Sequence, residues 1–272
     1  MTMFNGLLCF SGEPSACAAV EDAQNDITGQ WYRSPRLRAH PHLHPVNSFS
    51  PDMGLGILLW VAADPSKERL ERLSWWLDWV SRNQRCIGKG CENRWPRYCP
   101  DDDVDGDPDA QLGCTFSAGD LATFGFALKH WGIRARDDAL QQKFDAAAPN
   151  AIALAALGAQ LNRPGYSQHL SGVTLLVLHK LEPDNKSLMA AANLLATAQP
   201  KNPFFAWLAG SKNEQVAHLA LEVCPHNDGS MPRPEDRQDW SWQREDTAQA
   251  WKNSMIWECH FVAAITGEGA VQ

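Results

Sequence analysis

Apolar residues recur at helical spacing along most of the chain. Leu70, Leu73, Leu77 and Val80 fall three or four apart behind Asp64-Pro65, a pair able to cap a helix start. Trp75, Trp76 and Trp79 widen that stripe until both sides of the helix are expected to meet protein. The same period predicts helices over Ala16–Ile27, Met53–Ala63, Asp120–His130, Asp137–Ala147, Ala151–Leu161, Ser167–Leu181, Ser187–Ala198, Glu214–Val223 and Asp246–Thr266. Start signals agree with several of them. Ser117 with Asp120, and Ser211 with Glu214, have the capping-box spacing. Ser50-Pro51-Asp52 supplies a cap, a first-turn proline and a carboxylate in order. Alternating runs are few, so strands are sparse. The stretch from Cys86 to Ser117 is too long for a plain connector, which marks it as functional or specially stabilised. Helices in paired order predict an all-α array without a strict repeat.

Composition narrows the class. With 44% apolar and 21% charged residues, the 272-residue chain has enough material for a sizeable core, and disorder is excluded. Its longest uninterrupted apolar run, Met53 to Ala63, is 11 residues, well short of the roughly 20 that span a bilayer. The net charge is −8, but six acids sit in Asp101–Asp109, so the remainder carries only −2. No basic stripe tracks a phosphate backbone, and nucleic acid is a poor partner. Twelve tryptophans against three tyrosines suit packed helix interfaces and sugar-facing clefts alike. Eight cysteines without a repeated C-x2-C unit favour disulfides over zinc, and so an oxidising, extracellular or periplasmic setting. Cys9 with Cys17, pairs among Cys86, Cys91, Cys99 and Cys114, and Cys224 with Cys259 are the expected bridges. No Lys or Arg precedes Arg33, and the apolar segment at Gly6–Phe10 is too short for a secretory signal, so a leader is not visible.

Candidate chemistry is concentrated in a few places. Asp101, Asp103, Asp105, Gly106 and Asp109 match positions 1, 3, 5, 6 and 9 of a calcium loop, with Asp107 between them. Leu112 stands where an EF-hand needs a bidentate Glu, so the loop is closer to the Asp-x-Asp-x-Asp-Gly loops of extracellular calcium modules. Six carboxylates repel one another, which a bound cation would relieve; a solvated acidic loop is the alternative. His40, His42 and His44 share one side of an extended segment and could hold zinc, although a polar loop lining a cleft is the simpler reading. Asp52 opens an apolar helix whose N-terminus would keep it ionised, as a base or nucleophile requires; a carboxylate that only complements the dipole is the plainer role. Asp120 completes a capping box. Tyr166 and His169, three apart, share a helix face and could abstract a proton, whereas a core histidine is commoner. Glu258, among Met255, Ile256, Trp257 and Phe261, would act as an acid if buried, or bond to an Arg.

Several segments resemble the (α/α) toroid proteins that act on polysaccharides. They are Trp31-Tyr32-Arg33-Ser34-Pro35, Ser48 to Trp60, Tyr166-Ser167-Gln168-His169-Leu170 and Ser254-Met255-Ile256-Trp257-Glu258-Cys259. The Ser-Pro-Asp segment is similar to the Ser-Arg-Asp-Gln helix starts of such toroids, with Pro in place of Arg and Met in place of Gln. The resemblance implies one toroid-like domain over residues 1–272, with a Cys- and Asp-rich loop at 86–117. It implies cleavage of an extracellular or cell-envelope polysaccharide in a glycoside hydrolase manner. Asp52 and Asp120 are then the acids, with Glu258 in reserve, and Trp31, Arg33, His42 and His44 line the cleft. A polysaccharide lyase using Tyr166 or His169, with Arg33 neutralising the substrate, is one alternative. A non-catalytic glycan-binding or structural protein, from a phage or a cell surface, is the other.

Overall fold

The computed structural model describes residues 2–40, 49–87, 90–91, 93–99, 114–224 and 254–267. The described chain is all-α apart from one short hairpin. It divides into two compact units, residues 1–151 and 152–272.

The first unit is built on α1 (Thr2–Phe10), α2 (Pro14–Glu21), α3 (Pro35–Ala39), α4 (Pro51–Ala63), α5 (Lys67–Arg82), α6 (Ala118–Trp131) and α7 (Asp138–Ala147). Helix α4 is buried over almost its whole surface and forms the centre of this unit. Helix α1 lies directly on it, because Gly6 and Gly56 face each other without side chains; a Cβ on either would run into the other helix's backbone. Around α4 the rings of Trp31, Trp60, Trp76 and Phe124 interlock edge-to-face or tilted, with neighbouring centroids 5.3–6.4 Å apart. Each of these rings brings a large apolar area out of water, which is the main favourable term for a core of this kind.

The segment between α5 and α6 is more ordered than a loop. Strands β1 (Arg85–Ile87) and β2 (Asn93–Trp95) pair antiparallel, so a hairpin occupies part of the stretch read as irregular from sequence. Beyond it the chain returns on itself. Tyr98 N–H donates to Cys114 O at 2.7 Å, Phe116 N–H donates to Pro96 O at 3.1 Å, and Cys99 is bonded to Cys114. The ends of the acidic stretch are therefore clamped together, and Tyr98 is carried into the core against Phe116, with ring centroids 3.9 Å apart.

The second unit comprises α8 (Ala151–Leu161), α9 (Tyr166–Leu181), α10 (Lys186–Ala198), α11 (Pro203–Leu208), α12 (Asn213–Val223) and α13 (Ser254–Thr266). From α9 to α13 each helix packs on the next, the expected order of an array of paired helices. Leu188, Ala191, Ala192 and Leu195 give α10 its buried stripe. Gly172 of α9 lets the Phe204 and Phe205 rings of α11 close on its backbone. Beneath them Gln199 donates to Gln168 and Asn202 donates to Gln199, a buried amide chain whose last member also caps α11. Cys224 is bonded to Cys259, tying the end of α12 to α13.

Several boundaries differ from the spacing rules, for local reasons. The helix expected at Ala16–Ile27 stops at Glu21, because Asn25 Oδ1 accepts from Ile27 and Thr28 N–H and turns the chain. Ser66, not Asp64-Pro65, caps α5: its hydroxyl accepts from Arg69 N–H. The N-cap of α12 is Lys212, one residue beyond Ser211, and Gln215 accepts from Lys212 N–H at 3.4 Å. The Asp246–Thr266 helix is described from Ser254 onward. Helices α1, α3 and α11 have no counterpart among the expected ones.

Candidate functional site

Within the first unit, the starts of α4 and α6 each carry an acid whose charge acts on the same tyrosine, Tyr98. Ser50 is the N-cap of α4, Pro51 opens it, and Asp52 follows in the first turn with 9% of its surface exposed. The Ser50 hydroxyl does not cap the helix. It donates to Asp52 Oδ1 and accepts from Arg33 Nη2 at 3.4 Å, so Arg33, Ser50 and Asp52 form a chain. Thr2 fixes Arg33 in turn, its N–H and hydroxyl both donating to Arg33 O. On α6, Ser117 N–H donates to Asp120 Oδ2 at 2.7 Å while Asp120 N–H donates to Ser117 Oγ at 3.1 Å, the reciprocal box expected from sequence.

Electrostatics link the two helix starts. Burial pushes the Asp120 carboxyl above the ordinary aspartate value, and its two bonds with Ser117 act against that without cancelling it. Burial also pushes the Tyr98 phenol well up, and the negative charges of Asp120 and Asp52 raise it further. Both carboxylates therefore act on one phenol. Tyr98 was not among the residues singled out by spacing; its only sequence signal is its place next to Cys99, at the edge of the stapled loop.

Tyr166, His169 and Glu258 come together in the second unit. The His169 ring stacks with Tyr166, centroids 6.2 Å apart, and lies 6.0 Å from Phe204. His169 Nδ1 meets Glu258 Oε1, and both side chains are 1% exposed. A pair so enclosed offers a sugar no surface. It is instead a buried contact between an imidazole and a carboxyl, two polar groups that packing has taken out of water together. The neighbouring Cys224–Cys259 bridge holds the helix that carries Glu258.

The remaining expected residues separate. Trp31 is wholly buried, its indole donates to Val20 O at 2.7 Å, and it packs on Trp60 and Trp76; it is a core residue and not a cleft wall. Its large flat ring suits both roles, which is why sequence alone placed it in the cleft. His42, His44, Asp101, Asp103, Asp105, Asp107 and Asp109 lie outside the described residues. Among the described residues, no three His, Cys, Asp or Glu side chains gather closely enough to hold a metal ion. All eight cysteines are paired, as Cys9–Cys17, Cys86–Cys91, Cys99–Cys114 and Cys224–Cys259. Four such bridges fit an oxidising environment. No helix among the described residues is long and apolar enough to cross a membrane.

No protein-family model, curated protein or solved structure matches the chain. Its functional reading therefore rests on the residues themselves.

Proposed function

We propose that the chain is a glycoside hydrolase of the (α/α) toroid kind, cleaving an extracellular or cell-envelope polysaccharide. The observation that carries this is the pair Asp52 and Asp120, set at two helix starts and acting on one buried tyrosine. Glycoside hydrolysis uses two carboxyl groups in unequal protonation states, one giving a proton to the leaving oxygen and the other acting on the opposite face. Asp120, raised by burial, is the proton donor. Asp52, at the positive end of α4 and accepting from the Ser50 hydroxyl, is its partner, as base or nucleophile. Arg33, joined to Asp52 through Ser50, fixes that carboxylate's orientation.

The four disulfides support an extracellular or periplasmic location. The acidic stretch clamped by Cys99–Cys114 is proposed to take calcium through Asp101, Asp103, Asp105, Asp107 and Asp109. A lyase reading retains one point of support, the stacked Tyr166 and His169 rings, against which stands the burial of His169.

The test is a panel of bacterial polysaccharides incubated with the protein, followed by reducing ends and by absorbance of unsaturated products. Reducing ends alone are expected. Asp52→Asn and Asp120→Asn should each lower turnover by at least about 10²-fold, the usual contribution of a positioned acid or base. Unsaturated products would instead establish the lyase, and binding without cleavage would establish a glycan-binding protein. Full turnover in both variants would remove the acids from the chemistry.

A further inference from the structure

The four disulfides are not alike. Cys86–Cys91 spans a sequence separation of 5, against 8, 15 and 35 for Cys9–Cys17, Cys99–Cys114 and Cys224–Cys259. The shortest loop removes the least chain entropy, so this bridge contributes least to holding the fold. Its hairpin has other fastenings. Arg85, Cys86 and Ile87 pair with Trp95, Arg94 and Asn93, the Trp95 indole donates to Phe116 O at 2.7 Å, and Arg97 Nε donates to Asn83 O at 2.8 Å. The bridge is also the one that water reaches. Cys86 is exposed and Cys91 half-buried, whereas each of the other three bridges has at least one buried cysteine. Backbone strain sits at the same place: Cys91, at φ 58°, is the one non-glycine residue with positive φ among the described residues. A bridge that adds little stability, lies open to water and ends on a strained residue is of the labile kind.

Charge favours exchange there. In the register of the hairpin Arg94 lies directly opposite Cys86, so both side chains leave the same face, and Arg85 precedes Cys86 in β1. A guanidinium beside a cysteine stabilises its thiolate, which is the leaving form in exchange. Arg69 Nη1 also lies 3.8 Å from Cys9 Sγ, but Cys9 is 2% exposed and gives an incoming thiol no approach. We propose that Cys86–Cys91 is a thiol-exchange site that takes a low-molecular-weight anionic thiol. The incoming thiolate attacks Cys86 Sγ, on the exposed cysteine, and forms a new S–S bond to it. The Cys86–Cys91 bond breaks, and Cys91 leaves with both of its electrons as a thiolate that takes up a proton from water. Cys86 then carries a mixed disulfide, with Arg94 beside the negative charge of the added group. A second thiolate attacks the added sulfur and releases Cys86 as a thiolate that Arg94 stabilises. Two thiols are thereby oxidised to one small disulfide, and the protein bridge is reduced to two cysteines. The exchange uses neither Asp52 nor Asp120, so it is independent of the hydrolytic reading.

The test exposes the full native chain to reduced glutathione at rising concentration, quenches by alkylation and reads each bridge by peptide mass spectrometry. Cys86 and Cys91 should become alkylated while Cys9–Cys17, Cys99–Cys114 and Cys224–Cys259 stay intact, and early time points should show glutathione on Cys86. Opening of all four bridges together, or of another bridge first, would overturn the proposal. Helical circular dichroism should persist at the concentration that opens Cys86–Cys91. Its loss there would show a structural staple and would equally overturn the exchange role. Arg94→Gln, at an exposed position, checks the charge. It should slow opening by glutathione more than opening by 2-mercaptoethanol, an uncharged thiol of similar reactivity. Equal slowing of the two, or none, would overturn the selection of an anionic thiol.

Discussion

Asp120 is pulled in two directions. The first turn of α6 and the Ser117 N–H favour its ionised form, while burial favours the protonated one, and burial is the larger effect. The sign for stability follows. The folded state holds this proton to a higher pH than the unfolded state does, so the group's contribution falls as pH rises from the ordinary aspartate range through the raised folded value. Asn at 120 can still accept from Ser117 N–H but has no proton to lose. Asp120→Asn should therefore match the parent in melting temperature below the ordinary aspartate range and gain on it as pH rises toward neutral. A parent that gains on the variant over that interval would show the ionised carboxylate to be stabilising. At this scale the two acids were legible, because helix starts announce themselves through Ser, Pro and Asp. Tyr98 was not, since a residue in an apparent loop shows no period. Trp31 was misplaced, since its chemistry suits a core and a sugar cleft equally.

Helix α1 shows what periodicity overlooks in an element. Thr2–Phe10 has no charged residue, and although Gly12 at φ 100° closes its end, with Gly12 N–H donating to Cys9 O and Glu13 N–H to Leu8 O, Asn5-Gly6 within it has the form of a turn. What makes it a helix is its seat on α4, where Gly6 meets Gly56 and backbones approach directly. By propensity alone, Gly56→Ala in α4 should help by up to about 1 kcal/mol. Packing reverses that, since the new methyl would meet Thr2 O and Met3 Cα, and overfilling a tight contact costs about 1–3 kcal/mol. The expected net effect is destabilising, seen as a lower denaturant midpoint with unchanged slope. A stabilised Gly56→Ala would mean that α1 stands off from α4. Where a cap stands before a long apolar period the element was legible, as in α6, bounded by the Ser117 box and by Gly132 at φ 68°, whereas the capped but short α3 and α11 were not. Where tertiary contact decides, as in α1, or where a strand pair is three residues long, as in the hairpin, local pattern carried too little signal.

Over the whole molecule the cysteines were the most legible feature, because an even count clustered around one loop leaves few sensible pairings. They also divide by unit: three bridges lie in residues 1–151 and one in 152–272. Cys99–Cys114 closes a stretch carrying all six acids of Asp101–Asp109, which concentrates like charge on one short loop. Closing a loop of about this length is worth roughly 3 kcal/mol in the chain-entropy model. Repulsion among the carboxylates opposes it at any pH where they are ionised. A calcium ion bound by alternate aspartates would remove that opposition in the folded state alone, because the unfolded chain does not hold the ligands in place. Binding restricted to the native state raises stability by about 2.7 kcal/mol at a free concentration 100 times the dissociation constant. The melting temperature should accordingly rise with added calcium and fall with chelator, and Asp103→Asn with Asp105→Asn should abolish the difference. Sodium chloride at matched ionic strength separates this from simple screening, since screening would raise the parent and leave no calcium-specific increment. Identical melting curves in calcium and in chelator would establish the loop as a solvated acidic surface.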